Sequence, residues 1–293
     1  MSLILSLPLL ESFLLPLALL FFQTAIDASV GEALDRGDEA YARRAEGREG
    51  LWADTGPISE ALVAFEKALV ADPENQLART KLLRALFFKG DYVLRDRDAK
   101  LEVFERGQTL GEEGISLLIA GTNLDRRGDK DYDQLLEHLE GQPNAAGIYY
   151  WTAVHWGVWS RHRGKIAAAR QGVAGKIRDY ARIVNAIDTG YDRGGGHRLL
   201  GRLHAKAPRI PFVTGWIDRD LAISELETAR SFSDDSLTLL YFIEALLDYD
   251  TSRRVEAMAL LREVAAREGE PFDLLENMRA VSDARILLER LSD

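Results

Sequence analysis

Apolar residues recur at three- and four-residue spacing along most of this chain, and no segment shows sustained alternation of apolar and polar positions. The pattern therefore predicts helices and no sheet. Gly31 to Glu49 reads as a first helix with Ala33, Ala40 and Tyr41 turned inward. Gly56-Pro57 breaks it. Ser59 then caps a helix carrying Ala61, Leu62, Phe65, Ala68 and Leu69, which stops at Asp72-Pro73 because the residue before proline disfavours helix. Leu77 to Phe88 is apolar on one face and ends at a turn, Lys89-Gly90-Asp91. Lys100, Phe104 and Gly107 mark a degenerate next helix, and Gly114 to Leu124 and Tyr132 to Leu139 a further pair. Ile148 to Trp159 is dense in aromatics, and Lys165 to Ala186 is a longer helix with Ile177, Tyr180, Ile183 and Val184 on its apolar side. The run from Asp188 to Gly196 reads as a loop. His197 to Ala205 resumes helix and ends before Pro208 and Pro211. Asp218 to Phe232, Leu237 to Leu247 and Glu256 to Ala266 follow, and Ser282 to Leu291 is a short terminal cap.

Two of these helices share a finer signature. Ala61, Phe65, Ala68 and Pro73 stand at offsets of four, seven and twelve residues, and Ala222, Leu226, Ala229 and Asp234 repeat the offsets downstream. Two small residues flanking a large apolar one, followed by a helix stop, resemble the second helix of a tetratricopeptide repeat. Ala257, Leu261 and Val264 keep the four-and-seven part of it. Helix pairs of this kind bury their apolar faces only by stacking, and stacked pairs build a concave surface. The expectation is an all-α fold of stacked antiparallel helix pairs, a tetratricopeptide-like helical repeat domain spanning 27–293.

The N-terminal 26 residues differ. Leu3 to Phe22 is almost wholly apolar, interrupted by Pro8, Glu11 and Pro16. A secretory signal peptide is the leading expectation, with Phe13 to Phe22 as its apolar core and cleavage near Ala25, although no Lys or Arg precedes that core. A retained membrane anchor, a buried core helix and a misassigned start remain alternatives.

Composition narrows the function classes. The formal net charge is −10, against the broad basic face that nucleic-acid binding requires. The chain contains no cysteine, which excludes disulfides, thiolate zinc sites, catalytic thiols and a lipid on an N-terminal cysteine. His155 and His162, and likewise His197 and His204, lie seven apart, wider than helical metal motifs use, so no metal is expected. No nucleophile, histidine and acid grouping and no carboxylate pair stands out, so neither an enzyme nor a cofactor is expected.

Two runs carry a family resemblance. Gly194-Gly195-Gly196-His197-Arg198-Leu199-Leu200-Gly201-Arg202-Leu203-His204-Ala205-Lys206-Ala207-Pro208, and the aromatic run from Ile148 to Trp159, resemble the T component of TRAP transporters. These are tetratricopeptide-like periplasmic proteins associated with tripartite, ATP-independent organic-acid transporters. The likeness covers most of 28–266. It implies a periplasmic, non-enzymatic accessory component that docks the substrate-binding subunit and holds or guides a small organic-acid or apolar ligand. It also implies a homo-oligomer, a ring or trimer with a central pore. Typical members are lipoproteins, and the missing cysteine departs from them. A generic scaffold for cell-envelope assembly, without a small ligand, is the alternative.

The candidate site combines both runs. Gly194, Gly195 and Gly196 lead into a helix start whose unpaired N–H groups attract anions, with Arg198 and Arg202 placed to hold a carboxylate. Tyr150, Trp151, Trp156 and Trp159 offer an apolar wall with polar handles. The competing reading is structural: the glycines serve a tight turn and close helix approach, and the aromatics serve the core.

Overall fold

The computed structural model describes residues 11–268 and 274–292, with side chains over 27–268 and 275–292. Thirteen α-helices, no strand and one isolated bridge between Glu49 and Trp52 make up these residues. The first ten residues of the expected leader lie outside the described residues. From Glu11 the chain is helical, and α1 (Glu11–Ala42) runs on into the first repeat.

Helix α1 packs on α2 (Thr55–Ala71), and α2 on α3 (Gln76–Phe88). Asp54, not Ser59, caps α2: its carboxylate accepts from the Gly56 N–H at 2.7 Å. Pro57 falls in the first turn, where its missing N–H costs nothing, so it does not break the helix. Asn75 caps α3 through the Ala78 N–H, and a π-helical turn, Lys89–Val93, replaces the simple turn expected there.

Helix α4 (Arg97–Leu118) is continuous, where the glycines had suggested two separate elements. Gly107 and Gly111 are not breaks. They lie directly beneath His155 and Thr152 of α6 (Ala145–Arg163), and any side chain there would overlap them. The short α5 (Tyr132–Leu139) sits as expected. The predicted helix over 165–186 is two, α7 (Lys165–Arg170) and α8 (Val173–Ile187), separated by Gly172 in the left-handed region at φ 62°.

The run over 188–196, expected as a loop, is a turn for most of its length, and regular helix begins only at Gly195. Helix α9 (Tyr191–Lys206) opens with Asp192, Arg193 and Gly194 in left-handed conformation at φ 48°, 58° and 74°, and turns regular at Gly195. It packs along α10 (Arg219–Phe232), which is followed by α11 (Ser236–Tyr249) and α12 (Arg254–Ala266). The repeat positions behave as predicted: Ala61, Ala68, Ala222, Leu226 and Ala229 are fully buried and Phe65 is 1% exposed.

The last helix, α13 (Leu274–Ser292), begins eight positions before the cap expected at Ser282. Its Ala280, Val281 and Ala284 pack with Leu246 and Leu261 of the final pair. Its Leu275 joins Phe65 of α2, Phe88 of α3 and Tyr92 of the π-helical turn, at the N-terminal end of the stack. One helix therefore links both ends of the stack, across its concave side.

Candidate functional site

The concave side holds a cavity of about 810 Å³. Its walls come from the inner helices: Phe87 of α3, Trp151 and Val154 of α6, Ile177 of α8, Leu199 and Leu203 of α9, and Leu240 of α11. The segment after α9 adds Ile210, Val213 and Trp216. That segment is tied to itself by Thr214, whose Oγ donates to the Pro208 carbonyl at 2.5 Å and accepts from the Ile210 N–H at 2.9 Å.

Of the nine residues singled out from the sequence, four reach this cavity: Tyr150, Trp151, Arg198 and Arg202. The Tyr150 hydroxyl donates to Asp192 Oδ2 at 2.6 Å and accepts from Arg198 Nη2 at 2.9 Å. Arg198 also pairs with the Asp192 carboxylate and donates to Thr238 Oγ1 at 3.3 Å. Burial, and the Asp192 carboxylate beside it, push the Tyr150 hydroxyl well above the ordinary tyrosine value; the nearby Arg198 charge acts against them. The carboxylate that meets Arg198 is thus the chain's own. Asp192 reaches it because the left-handed turn folds its side chain back along α9.

Arg202 pairs with Glu244 of α11 and lies over the Tyr241 ring at 4.0 Å. Burial works to raise the Glu244 carboxyl, but Arg202 and Lys206 overcome it and hold the group below the usual range.

The other five do not line the cavity. Gly194 takes the last left-handed position of the turn, Gly195 lies against the Tyr150 ring, and Gly196 lies against Asn185 of α8, where a side chain would overlap the amide. Trp156 and Trp159 face α4. Their indole N–H groups donate to Glu112 and Glu105, each at 2.9 Å, and Lys176 sits 3.4 Å from the Trp156 ring centroid. Glu112 also accepts from the Tyr180 hydroxyl, so this part of the aromatic run joins α4, α6 and α8.

Apart from Arg198 and Arg202, the cations were not legible in sequence. Ten basic side chains border the cavity against six carboxylates, in a chain whose net charge is −10. Arg84, Arg127, Arg161, Arg178 and Arg279 come from five separate segments spread over nearly two hundred positions, and no local motif flags them. A smaller cavity of about 660 Å³, beside α5, α6 and α8, is bordered by Glu137, Glu140 and Asp188 and by no Lys or Arg. Among the described residues no group of three or more His, Asp or Glu is placed to hold a metal ion. No described helix is long and apolar enough to cross a membrane.

No family model matches the chain, and neither does any curated protein compared with it. Among solved structures it is similar to the crystal structure of TTC0263, a thermophilic TPR protein in Thermus thermophilus. That likeness covers 88% of this chain and 99% of the other, at a TM-score of 0.53 and 17% identity. The fold is tetratricopeptide-like. At this identity the likeness speaks for the fold alone.

Proposed function

We propose that the protein is a non-catalytic docking scaffold whose concave groove receives a segment of a partner protein. The observation that carries this is the groove itself: a cavity of about 810 Å³ on the inner helices, walled by aromatic and aliphatic side chains and rimmed by charge. Stacked helix pairs present such concave surfaces for binding. Filling the groove tests it. Val154→Trp should abolish retention of a defined protein by the immobilised chain in extracts of its host, and Val70→Trp, at a position 82% exposed outside the groove, should not. Equal retention by both variants would contradict the proposal.

A narrower reading is supported by one specific contact. Tyr150 of the aromatic run and Arg198 of the glycine run, the two segments that resemble the TRAP T component, meet at 2.9 Å on the cavity wall. On this reading the partner is a TRAP substrate-binding subunit, the compartment is the periplasm, and the groove holds or guides an organic-acid or apolar ligand. Copurification with a substrate-binding subunit encoded beside this chain, lost on Val154→Trp, would support it. A neighbourhood without transporter genes would remove it in favour of the general scaffold.

A further inference from the structure

Cations that line the groove recur in one arrangement, two of them holding one carboxylate, which lies on the cavity wall (Asp91, Glu244) or just behind it (Asp179). Asp91 accepts from Arg161 at 3.4 Å and from Arg279 at 3.2 Å. Asp179 accepts from Arg127 and from Arg178, each Nε at 2.7 Å. Glu244 pairs with Arg202 and with Lys206, whose Nζ is 3.1 Å from it and equally 3.1 Å from Asp248 outside the cavity. A carboxylate neutralises one charge, so Asp91 and Asp179, each held by two cations, leave a positive surplus, whereas Arg202 and Lys206 are balanced by Glu244 and Asp248. Here that surplus faces a cavity in which ten basic side chains outnumber six carboxylates and much of the remaining wall is aromatic or aliphatic. Low-dielectric walls concentrate such a field, and a chain that is acidic elsewhere sharpens the contrast.

We infer that the groove selects an acidic peptide: an extended partner segment in which carboxylates alternate with large apolar side chains. This rests on the docking function proposed above and specifies its ligand. A single small dianion could engage one cluster. The clusters stand on different helices, Arg161 on α6 with Arg279 on α13, Arg178 on α8, and Lys206 on α9. An extended chain carrying several carboxylates can engage the Asp91 and Asp179 clusters and displace the exposed Asp248 from Lys206, while its apolar residues meet Trp151, Leu203 and Leu240. Cationic groups that already share a carboxylate also stay folded and oriented before the ligand arrives, which lowers the ordering cost of binding.

The doubly held carboxylates make the test clean. In the triple variant Arg161→Gln, Arg178→Gln, Lys206→Gln the acids Asp91, Asp179 and Glu244 each keep one cation, Arg279, Arg127 or Arg202, and Asp248, which is 47% exposed, loses its contact with Lys206. The side chains removed are 59%, 28% and 41% exposed, so the fold should persist, with melting temperature and circular dichroism as the check. Probes are fluorescein-labelled twelve-residue peptides alternating Glu with Phe and, for comparison, Ser with Phe. Expected results are clear preference of the native chain for the Glu-Phe peptide, weakening of that binding as salt rises, and loss of about tenfold or more in the triple variant. Equal affinity for the two peptides, or native-like binding by a folded triple variant, would overturn the acidic specificity and leave the docking function standing. Binding of neither peptide, or binding of free glutarate alone, would overturn the acidic-peptide specificity; the docking function falls only if Val154→Trp and Val70→Trp retain the partner equally.

Discussion

Arg279, on the last helix, donates from one guanidinium nitrogen to the backbone carbonyl of Asp91 at 2.9 Å and to its carboxylate at 3.2 Å, across 188 positions of chain. The same side chain donates to the Leu51 carbonyl at 3.2 Å and stacks over Tyr92 at 4.0 Å. A lone exposed ion pair contributes little, but a fork that satisfies two backbone carbonyls and a partly buried acid contributes more. This contact fastens α13 to the first repeat and so helps shape the groove. Arg279→Ala should lower stability by about 2 kcal/mol, read as a reduced urea midpoint. Arg279→Lys, which keeps the charge and loses the planar fork, should fall between. An unchanged midpoint for Arg279→Ala would mean that α13 is held by its apolar contacts alone.

Arg198 carries a second prediction. Its guanidinium is 7% exposed and shared among Tyr150, Asp192 and Thr238. Truncation strands a partly buried carboxylate, so Arg198→Ala should destabilise by roughly 3 kcal/mol or more. Combining it with Asp192→Asn should cost clearly less than the sum of the two single changes. Additive effects in thermal or urea unfolding would show that the two side chains do not act as a pair.

Buried repeat positions provide a third. Leu226 is fully buried between α9 and α10, and Gly201 of α9 lies beneath its side chain. Leu226→Ala should cost about 2–5 kcal/mol, whereas Val70→Ala on the exposed face of α2 should stay within about 0.5 kcal/mol of the native protein. Similar small effects at both sites would contradict the stacked-pair core.

The contrast between Leu226 and Arg161 shows what could be read in advance. Leu226 belongs to a local pattern, four residues after one alanine and three before another, and burial of such a stripe follows from helix geometry. Arg161 joins the groove only because Arg279 and Asp91 arrive from distant segments, and no spacing records that. The glycines of α4 misled for a related reason: a glycine that lets another helix approach is written like one that ends a helix. In the candidate site, Tyr150 was legible as a polar handle on an aromatic wall and Arg198 as a cation placed to hold a carboxylate. That Asp192 would fold back onto Arg198 was not, because it depends on a left-handed turn through two non-glycine residues.

His155 carries a prediction about the response to acid. It is fully buried under α4, its Nε2–H donates to the Leu83 carbonyl at 3.0 Å, and Nδ1 has no hydrogen-bond partner. Burial, against the smaller effect of the Leu83 bond, lowers its pKa from 6.5 to about 4. The folded chain therefore keeps the ring neutral where the unfolded chain protonates it. The ring's contribution is intact above about pH 6.5 and is lost progressively as pH falls towards 4, by roughly 3 kcal/mol in all. Urea unfolding between pH 7 and 4 should show this loss, and His155→Gln should flatten it while lowering stability at pH 7. An equally steep acid loss in the variant would assign the effect to other groups.

The most direct test of the docking surface is site-specific photo-crosslinking in the native host. A benzophenone amino acid at Val154, inside the groove, and another at Val70, on the outer face of α2, are compared in the full chain. One discrete polypeptide adduct is expected from Val154, suppressed by excess Glu-Phe peptide, and none from Val70. No polypeptide adduct from Val154, or the same adduct from both positions, would contradict the docking function.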